Sequence, residues 1–148
     1  MIGVNGLHSE PELMNLIDLI SERHIQLRDW CEKAWNDTSE IPISHSEWMI
    51  MARIYKNSPT ISSISKDTAI SRQAVHKFIK KLEAKGLVEI KSVENNRKVK
   101  CLQLTKFGEA CYEKNMAQKA MLEKQIADRI GMDQLALLKG LLTADWGV

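Results

Sequence analysis

Apolar residues recur at three- and four-residue steps along most of the chain, a pattern typical of helices that bury one face. The first such stripe starts near Pro11 and ends before a turn-forming segment at residues 36–42. A second helix is predicted after Ser44, because Glu47 follows three positions later in the spacing of a capping box. The first stripe consists of Leu13, Leu16, Ile17, Ile20, Leu27, Cys31 and Ala34, and His24 fills the gap after Ile20.

The middle of the chain predicts two short helices followed by a hairpin. Thr60 can cap a helix that ends near Lys66, and Ser71 can cap another that runs to Lys85 and stops at Gly86. Two strand-like runs follow, at about 87–92 and 98–104, with a polar turn between them.

Two more helices are predicted after the hairpin, so the expected fold class is mainly α with a small β hairpin. Thr105 can cap a helix over about 106–130, and Asp133 can cap a last helix rich in leucine. The helix over about 106–130 has a thin apolar face, which consists of Phe107, Ala110, Cys111, Ala117, Met121 and Ala127.

Basic side chains are concentrated in one part of the sequence. The 148 residues have a net charge of only +2, but residues 71–106 carry ten basic and three acidic side chains. Residues 1–70 carry six basic and ten acidic side chains, and residues 107–148 carry five and six. A basic block between mildly acidic flanks indicates a polyanion partner at one surface, although a solvated lysine-rich helix has the same composition.

The spacing within the basic block favours a helix-turn-helix, in which a first helix braces a second, basic one. In residues 71–85 the apolar stripe is centred between Val75 and Leu82, which leaves the opposite side of the helix polar. Arginine and glutamine can form paired hydrogen bonds to base edges, and lysines suit phosphates. The predicted base contacts are Arg72, Gln73 and His76, and the predicted phosphate contacts are Ser71, Lys77 and Lys80.

The hairpin is interpreted as a wing beside this helix. Asparagines at its turn tolerate left-handed backbone angles, and an arginine at the tip can enter a narrow minor groove. The predicted wing residues are Asn95, Asn96, Arg97 and Lys98.

Three segments together resemble the MarR family of winged helix-turn-helix transcriptional regulators. Residues 60–75 (TISSISKDTAISRQAV) resemble the family's bracing helix, turn and start of the recognition helix. Residues 82–88 (LEAKGLV) are similar to the end of that helix, and residues 104–108 (LTKFG) to the junction between wing and helix. The family's wing usually carries an aspartate shortly before an arginine, whereas Asn96 occupies that position here.

The resemblance implies a two-fold dimer with three parts in each chain. An N-terminal dimerisation helix (1–36) and C-terminal dimerisation helices (106–148) would flank a winged helix-turn-helix DNA-binding domain (37–105). A leucine face that includes Leu135, Leu138 and Leu142 also indicates a partner, since it is apolar without an evident cover within the chain. The alternative is that the terminal helices pack on their own domain.

The resemblance further implies a pocket for a small aromatic effector between the dimerisation helices and the winged domain. The candidate lining residues are His24, Trp30 and Trp48. For each of them, packing in the core or in the interface is the alternative. Cys31 is expected to be a buried small hydrophobe, and no sequence feature favours redox chemistry at Cys31, Cys101 or Cys111.

Other classes of protein receive no support from the sequence. No run approaches the roughly 18 apolar residues of a membrane span, and residues 1–8 lack the features of a secretory signal, so we expect a cytoplasmic protein without a membrane partner. Phosphate-binding glycine loops, GxSxG and HExxH motifs are absent from the sequence, so we expect neither an enzyme nor a cofactor nor a metal site.

The predicted function is sequence-specific binding of double-stranded DNA by a homodimer, as a repressor that a small aromatic effector releases from a palindromic operator. One alternative is a winged-helix module that binds another protein, for which apolar residues are expected where Gln73, Lys77 and Lys80 stand. The other is a cysteine redox sensor on the same fold.

Overall fold

A computed structural model describes residues 14–93 and 96–148, with only the backbone of Asn96 and Arg97. The described residues form six helices and one two-stranded antiparallel sheet, so the predicted mainly helical fold with a hairpin is confirmed. The elements are α1 (Leu16–Thr38), α2 (His45–Ile54), α3 (Ile61–Asp67), α4 (Arg72–Ala84), β1 (Val88–Val93), β2 (Asn96–Leu104), α5 (Lys106–Ile130) and α6 (Met132–Thr143).

Side-chain caps determine where four of the helices begin, as the sequence predicts. The hydroxyl groups of Thr60, Ser71 and Thr105 each accept a hydrogen bond from a backbone N–H of the first turn that follows. Ser44 and Glu47 form both hydrogen bonds of a capping box at the start of α2. These caps satisfy backbone donors that have no partner within the helix.

The predicted cap of the last helix is wrong. Gly131, at φ +100°, is both the C-cap of α5 and the N-cap of α6, and Asp133 lies within the first turn of α6. A single residue separates the two helices, so Asp133 is already helical and cannot act as the cap.

The core lies mainly between α2, α3, α4 and the hairpin. Trp35 of α1 and Cys111 of α5 extend it toward the flanking helices, which attach the long helices to the winged part of the chain. Its buried apolar residues are Trp35, Ile43, Ile50, Met51, Ile54, Ile64, Val75, Ile79, Leu82, Leu87, Val88, Leu102, Leu104 and Cys111.

A close approach between the turn after α4 and the start of α5 sets the base of the hairpin. Gly86 (φ +76°) ends α4 in a Schellman motif, in which the N–H of Leu87 donates to the carbonyl of Leu82. The hydroxyl of Thr105 donates to the carbonyl of Gly86 at 2.7 Å. A side chain at Gly108 would collide with the backbone of Leu87, so this contact requires glycine.

The hairpin is extended by the segment before α3. The strands β1 and β2 pair from Val88 opposite Leu104 outward, with an irregularity at Ser92 and Val93. Thr60 forms a bridge to Cys101, and the N–H of Leu102 donates to the carbonyl of Pro59 at 2.9 Å. The start of α3 is thereby attached to the hairpin.

The apolar surface predicted on the last helix is exposed. Residues 132–143 of α6 are all described, and none of them is buried. Four of its leucines, which are Leu137, Leu138, Leu141 and Leu142, are 45–59% exposed. In the described part of the chain, no helix combines the length and the apolar content needed to cross a bilayer.

An ion pair between a half-buried lysine and a buried glutamate joins the end of α4 to the start of α2. The ammonium of Lys85 lies 2.8 and 2.9 Å from the two carboxylate oxygens of Glu47 and donates to the carbonyl of Pro42 at 2.7 Å. Burial alone would raise the pKa of Glu47, but hydrogen bonds from Lys85 and Ser44 hold the pKa below its usual value of 4.5. The position of α4 therefore depends on a charge pair as well as on apolar packing.

Replacing Lys85 with methionine is expected to lower the free energy of unfolding by about 3 kcal/mol at pH 7, because Glu47 keeps a buried charge without its partner. Because the pKa of Glu47 is lowered in the folded state, the stabilisation exists above pH 4.5 and disappears as the pH falls through the folded pKa. Urea unfolding of both proteins at several pH values measures this difference.

The control is Lys33→Met, which removes an exposed pair with Asp37 on α1 and is expected to change stability by less than about 1 kcal/mol. Equally small decreases in the free energy of unfolding of both variants would contradict a structural role for the pair between Lys85 and Glu47.

Candidate nucleic-acid interface and ligand cavity

The helix α4 has one buried side and one open side. Val75, Ile79 and Leu82 are at most 1% exposed and pack in the core. The opposite side is solvent-exposed, as the spacing predicts. This exposed side is the candidate DNA-binding surface, and we call it the α4 face. Its residues are Arg72, Gln73, His76, Lys77, Lys80 and Lys81.

The first turn of α4 presents polar groups at the edge of the α4 face. The hydroxyl oxygen of Ser71 accepts from the N–H of Ala74 at 3.2 Å, and the hydroxyl hydrogen can still donate to an outside acceptor. The hydroxyl of Ser65 on α3 donates to the carbonyl of Ile70, in the turn before α4, at 3.0 Å. This bond ties α3 to the start of α4, so the bracing helix fixes where Ser71 and its neighbours point.

The hairpin adds basic residues on its exposed strands. Lys91, Lys98 and Lys100 are exposed, and the ammonium of Lys100 donates to the hydroxyl of Ser92 at 2.9 Å. Of the other predicted wing residues, Asn95 lies outside the described residues, as do the side chains of Asn96 and Arg97. The basic tip of the wing stays a prediction.

A cavity of about 450 Å³ opens between α1, α2 and α5. His24 and Trp48, two of the three candidates from the sequence, line it. Trp30 does not line it, because its position on α1 falls outside the arc that the lining residues between His24 and Glu32 share. The other lining residues are Leu27, Arg28, Cys31, Glu32, Ile43, His45, Met49, Ala52, Arg53, Tyr112, Asn115, Lys119, Leu122, Glu123 and Ile126.

Positive charges converge on one side of the cavity. The rings of His24 and His45 lie edge to face with their centres 5.8 Å apart. Burial lowers the pKa of His45, and so do the nearby groups Arg28, His24 and Lys119. Of the two carboxylates in the lining, Glu123 already pairs with Lys139 at 2.6 Å. An anionic group of a ligand would find two cations beside His45, the side chains of Arg28 and Lys119.

An aromatic cluster connects the cavity to the helices around it. The ring centre of Trp48 lies 4.9 Å from the ring centre of Trp35 and 6.4 Å from that of Tyr112. Tyr112 also packs against Tyr55, with ring centres 4.7 Å apart. The cluster joins α1, α2 and α5, and the indole N–H of Trp35 is satisfied by the carbonyl of Ile41. Trp35 is therefore a core residue, whereas Trp48 is only half-buried.

Cys31 and Cys111 do not have the environment of reactive thiols. Burial raises the pKa of Cys31 and of Cys111, which keeps both protonated at neutral pH. Cys31 is only half-buried on the wall of the cavity, whereas a buried side chain was expected, and Cys111 is in the core. The redox alternative gains no support from these two thiols.

Sequence reasoning missed the α5 wall of the cavity because the apolar face that it predicted for α5 is only partly correct. Phe107 and Met121 of the predicted apolar face are 47% and 60% exposed. The side of α5 that faces the protein buries Cys111, as predicted, together with Gly108 and Asn115, which the prediction did not include. A search for apolar stripes passes over a side that carries glycine and asparagine, so Asn115 and Lys119 gave no recognisable signal.

Comparison with known families and structures comes to the same fold. A family model described as an HTH domain matches residues 49–96, which span α2 to the start of β2. No curated protein matches the sequence significantly. The chain therefore contains a helix-turn-helix domain, and its flanking helices have to be compared through the structure.

Three solved structures illustrate the match to the whole chain. Wild-type MarR from E. coli in its apo form is 19% identical, with a TM-score of 0.70 over 88% of this chain and 96% of MarR. Streptococcus pneumoniae FabT in complex with DNA is 22% identical, with a TM-score of 0.76 over 86% of this chain and 90% of FabT. MepR, a regulator of the Staphylococcus aureus efflux pump MepA, is 15% identical, with a TM-score of 0.70 over 88% and 95%. The resemblance to the MarR family is confirmed at the level of the fold, a winged helix-turn-helix with flanking helices.

Proposed function

We propose that this chain, a helix-turn-helix protein with the MarR-type fold, is a cytoplasmic transcriptional regulator that binds double-stranded DNA as a homodimer. It acts as a repressor, and a small aromatic effector releases it from a palindromic operator. The observation that carries the proposal is the α4 face, a polar and basic surface held open by burial of the opposite side of the same helix.

The composition of the α4 face suits a major groove better than a protein surface. Gln73, Lys77 and Lys80 are exposed at positions where a protein-binding helix would carry apolar anchors. Arg72 and Gln73 lie in the first turn, where side chains of a recognition helix reach base edges. FabT, which shares the fold, was solved in complex with DNA, and this supports the same use here.

Dimerisation explains the exposed apolar residues at both ends of the chain. Leu16 and Ile17 of α1 are exposed, as are the leucines of α6 and Trp146 after it. Exposed apolar patches of this kind mark interfaces, and a stable dimer typically buries more than about 2,000 Å². In a two-fold dimer the two α4 faces would read half-sites about 10 base pairs apart.

The cavity is the proposed effector site. Its size suits a small aromatic compound, Trp48 and Tyr112 offer ring faces, and the cations around His45 suit an anionic substituent. A bound compound would favour one arrangement of α1, α2 and α5, and hence one spacing of the two α4 faces. Coupling of about 1–3 kcal/mol would change operator affinity roughly 5- to 150-fold.

The operator can be identified by selecting bound duplexes from a random library. A palindromic sequence in the selected duplexes would indicate that the protein binds as a dimer. On that operator, Arg72→Ala is expected to weaken binding about 5- to 150-fold, because a base contact contributes about 1–3 kcal/mol. On random duplex of the same length the loss is expected to be much smaller. Fluorescence anisotropy on both duplexes measures the two losses, and equal losses would rule out base reading by Arg72.

Lys77→Ala is expected to weaken binding to both duplexes alike, because a phosphate contact carries no sequence information. The slope of log K against log salt should become shallower by about 0.9, the value for one phosphate contact. Lys33→Ala on α1 removes the same charge away from the α4 face and serves as the control. A slope equal to that of the wild type would exclude the contact.

Leu138→Asp is expected to convert the dimer to a monomer, because it places a charge in the proposed interface. Ala136→Asp introduces the same charge on the opposite side of α6, about 160° away, and should leave the dimer intact. Sedimentation velocity gives the mass of each variant in solution. A dimer that survives Leu138→Asp would contradict the proposed interface.

A further inference from the structure

The basic block contains one lysine that does not belong to the α4 face. Lys85, the C-cap of α4, has a side chain that is only 25% exposed, whereas Lys77 and Lys80 are exposed. Its ammonium lies 2.7 Å from the carbonyl oxygen of Pro42 and 2.9 and 2.8 Å from the two carboxylate oxygens of Glu47. An ammonium has three N–H donors, so these three acceptors occupy it fully and leave no donor for a phosphate.

The carboxylate that binds Lys85 is itself fixed in place. The N–H of Ser44 donates to Oε1 of Glu47 at 3.0 Å, and the hydroxyl of Ser44 accepts from the N–H of Glu47 at 3.2 Å. This capping box restricts the orientation of the Glu47 side chain, which is only 4% exposed. The ammonium of Lys85 is therefore attached to a rigid acceptor at the start of α2.

The pair supplies a directional contact that the apolar side of α4 lacks. Apolar packing holds the helix against the core, but its energy depends little on direction. Charge-assisted hydrogen bonds are short and directional. The cap by Ser71 fixes one end of α4, and the pair of Lys85 with Glu47 fixes the other end, about 20 Å away along 13 residues. Anchors at both ends determine the tilt and rotation of the helix, and so the direction of the α4 face.

We infer that Lys85 is a positioning residue for DNA recognition, which orients the α4 face through Glu47 and makes no contact with DNA itself. This inference rests on the proposed function. Hydrogen bonds to base edges weaken steeply when the donor is misaligned, whereas contacts to phosphates depend mainly on charge and tolerate small shifts. Loss of the pair should therefore reduce binding to the operator more than binding to random duplex.

The test measures the specificity ratio, which is the affinity for the selected operator divided by the affinity for random duplex of the same length. Fluorescence anisotropy gives both affinities at a temperature where circular dichroism shows every variant to be folded. Lys85→Met is expected to lower the ratio at least about fivefold, the lower end of the effect of one base contact. The slope of log K against log salt should stay within about 0.3 of the wild-type slope, because no phosphate contact is lost.

Two further variants separate positioning from folding. Glu47→Gln/Lys85→Met removes the whole pair, so no unpaired charge stays buried, and glutamine can still complete the capping box. Its Tm should lie above that of Lys85→Met, while its specificity ratio stays low. Lys85→Arg keeps a cation that can bind the carboxylate, and it should retain the wild-type ratio within about threefold.

Ile54→Ala is the matched control. Ile54 lies at the other end of α2 from Glu47 and is completely buried, so its truncation destabilises the same core without removing a directional contact to α4. Its Tm should fall by an amount comparable to that of Lys85→Met. The specificity ratio of the folded control should stay that of the wild type.

Four results would overturn the inference. The first is a wild-type specificity ratio in both Lys85→Met and the double variant. The second is a salt slope shallower by about 0.9 in Lys85→Met, because Lys85 would then contact a phosphate directly. The third is an equal loss of specificity in Ile54→Ala, which would reduce the pair to a contribution to stability. The fourth is a selection that yields no duplex preferred by the wild type, in which case the proposed function fails as well.

Discussion

Burial of three side chains on one side of α4 holds this helix in place and thereby directs its basic side outward. Val75, Ile79 and Leu82 follow one another at steps of four and three residues and are almost completely buried. A helix of 13 residues is only marginally stable in water by itself, so its packing against α2, α3 and the hairpin maintains it. Apolar packing on one side stabilises α4, so the opposite side can remain exposed and strongly basic.

Both ends of α4 are attached to neighbouring elements. At its start the turn from α3 and the cap by Ser71 fix the first exposed side chains, and at its end Gly86 reverses the chain into the hairpin. The pair between Lys85 and Glu47 connects that end to α2, which also carries His45 and Trp48 of the cavity. The α4 face and the cavity therefore share α2 as a common support.

This shared support gives the proposed regulation a physical basis. A ligand shifts an equilibrium between two arrangements only as far as it binds one of them better. The cavity wall consists of α1, α2 and α5, so its occupant contacts the flanking helices and the winged part at once. Arg28 and Lys119 lie close enough to His45 to lower its pKa, so an anionic occupant of the cavity would bind beside these two cations.

The sequence by itself determined the elements and most of their limits, though not the start of α6, because caps, apolar stripes and left-handed glycines act within about four residues. The starts at Ser44, Thr60, Ser71 and Thr105 and the two sides of α4 are of this kind. Only the tertiary structure decided which side of α5 is covered, that Trp30 stays off the cavity, and that Glu47 meets Lys85 38 positions away. Helical spacing states which residues share a side, but packing against distant segments decides which side is buried.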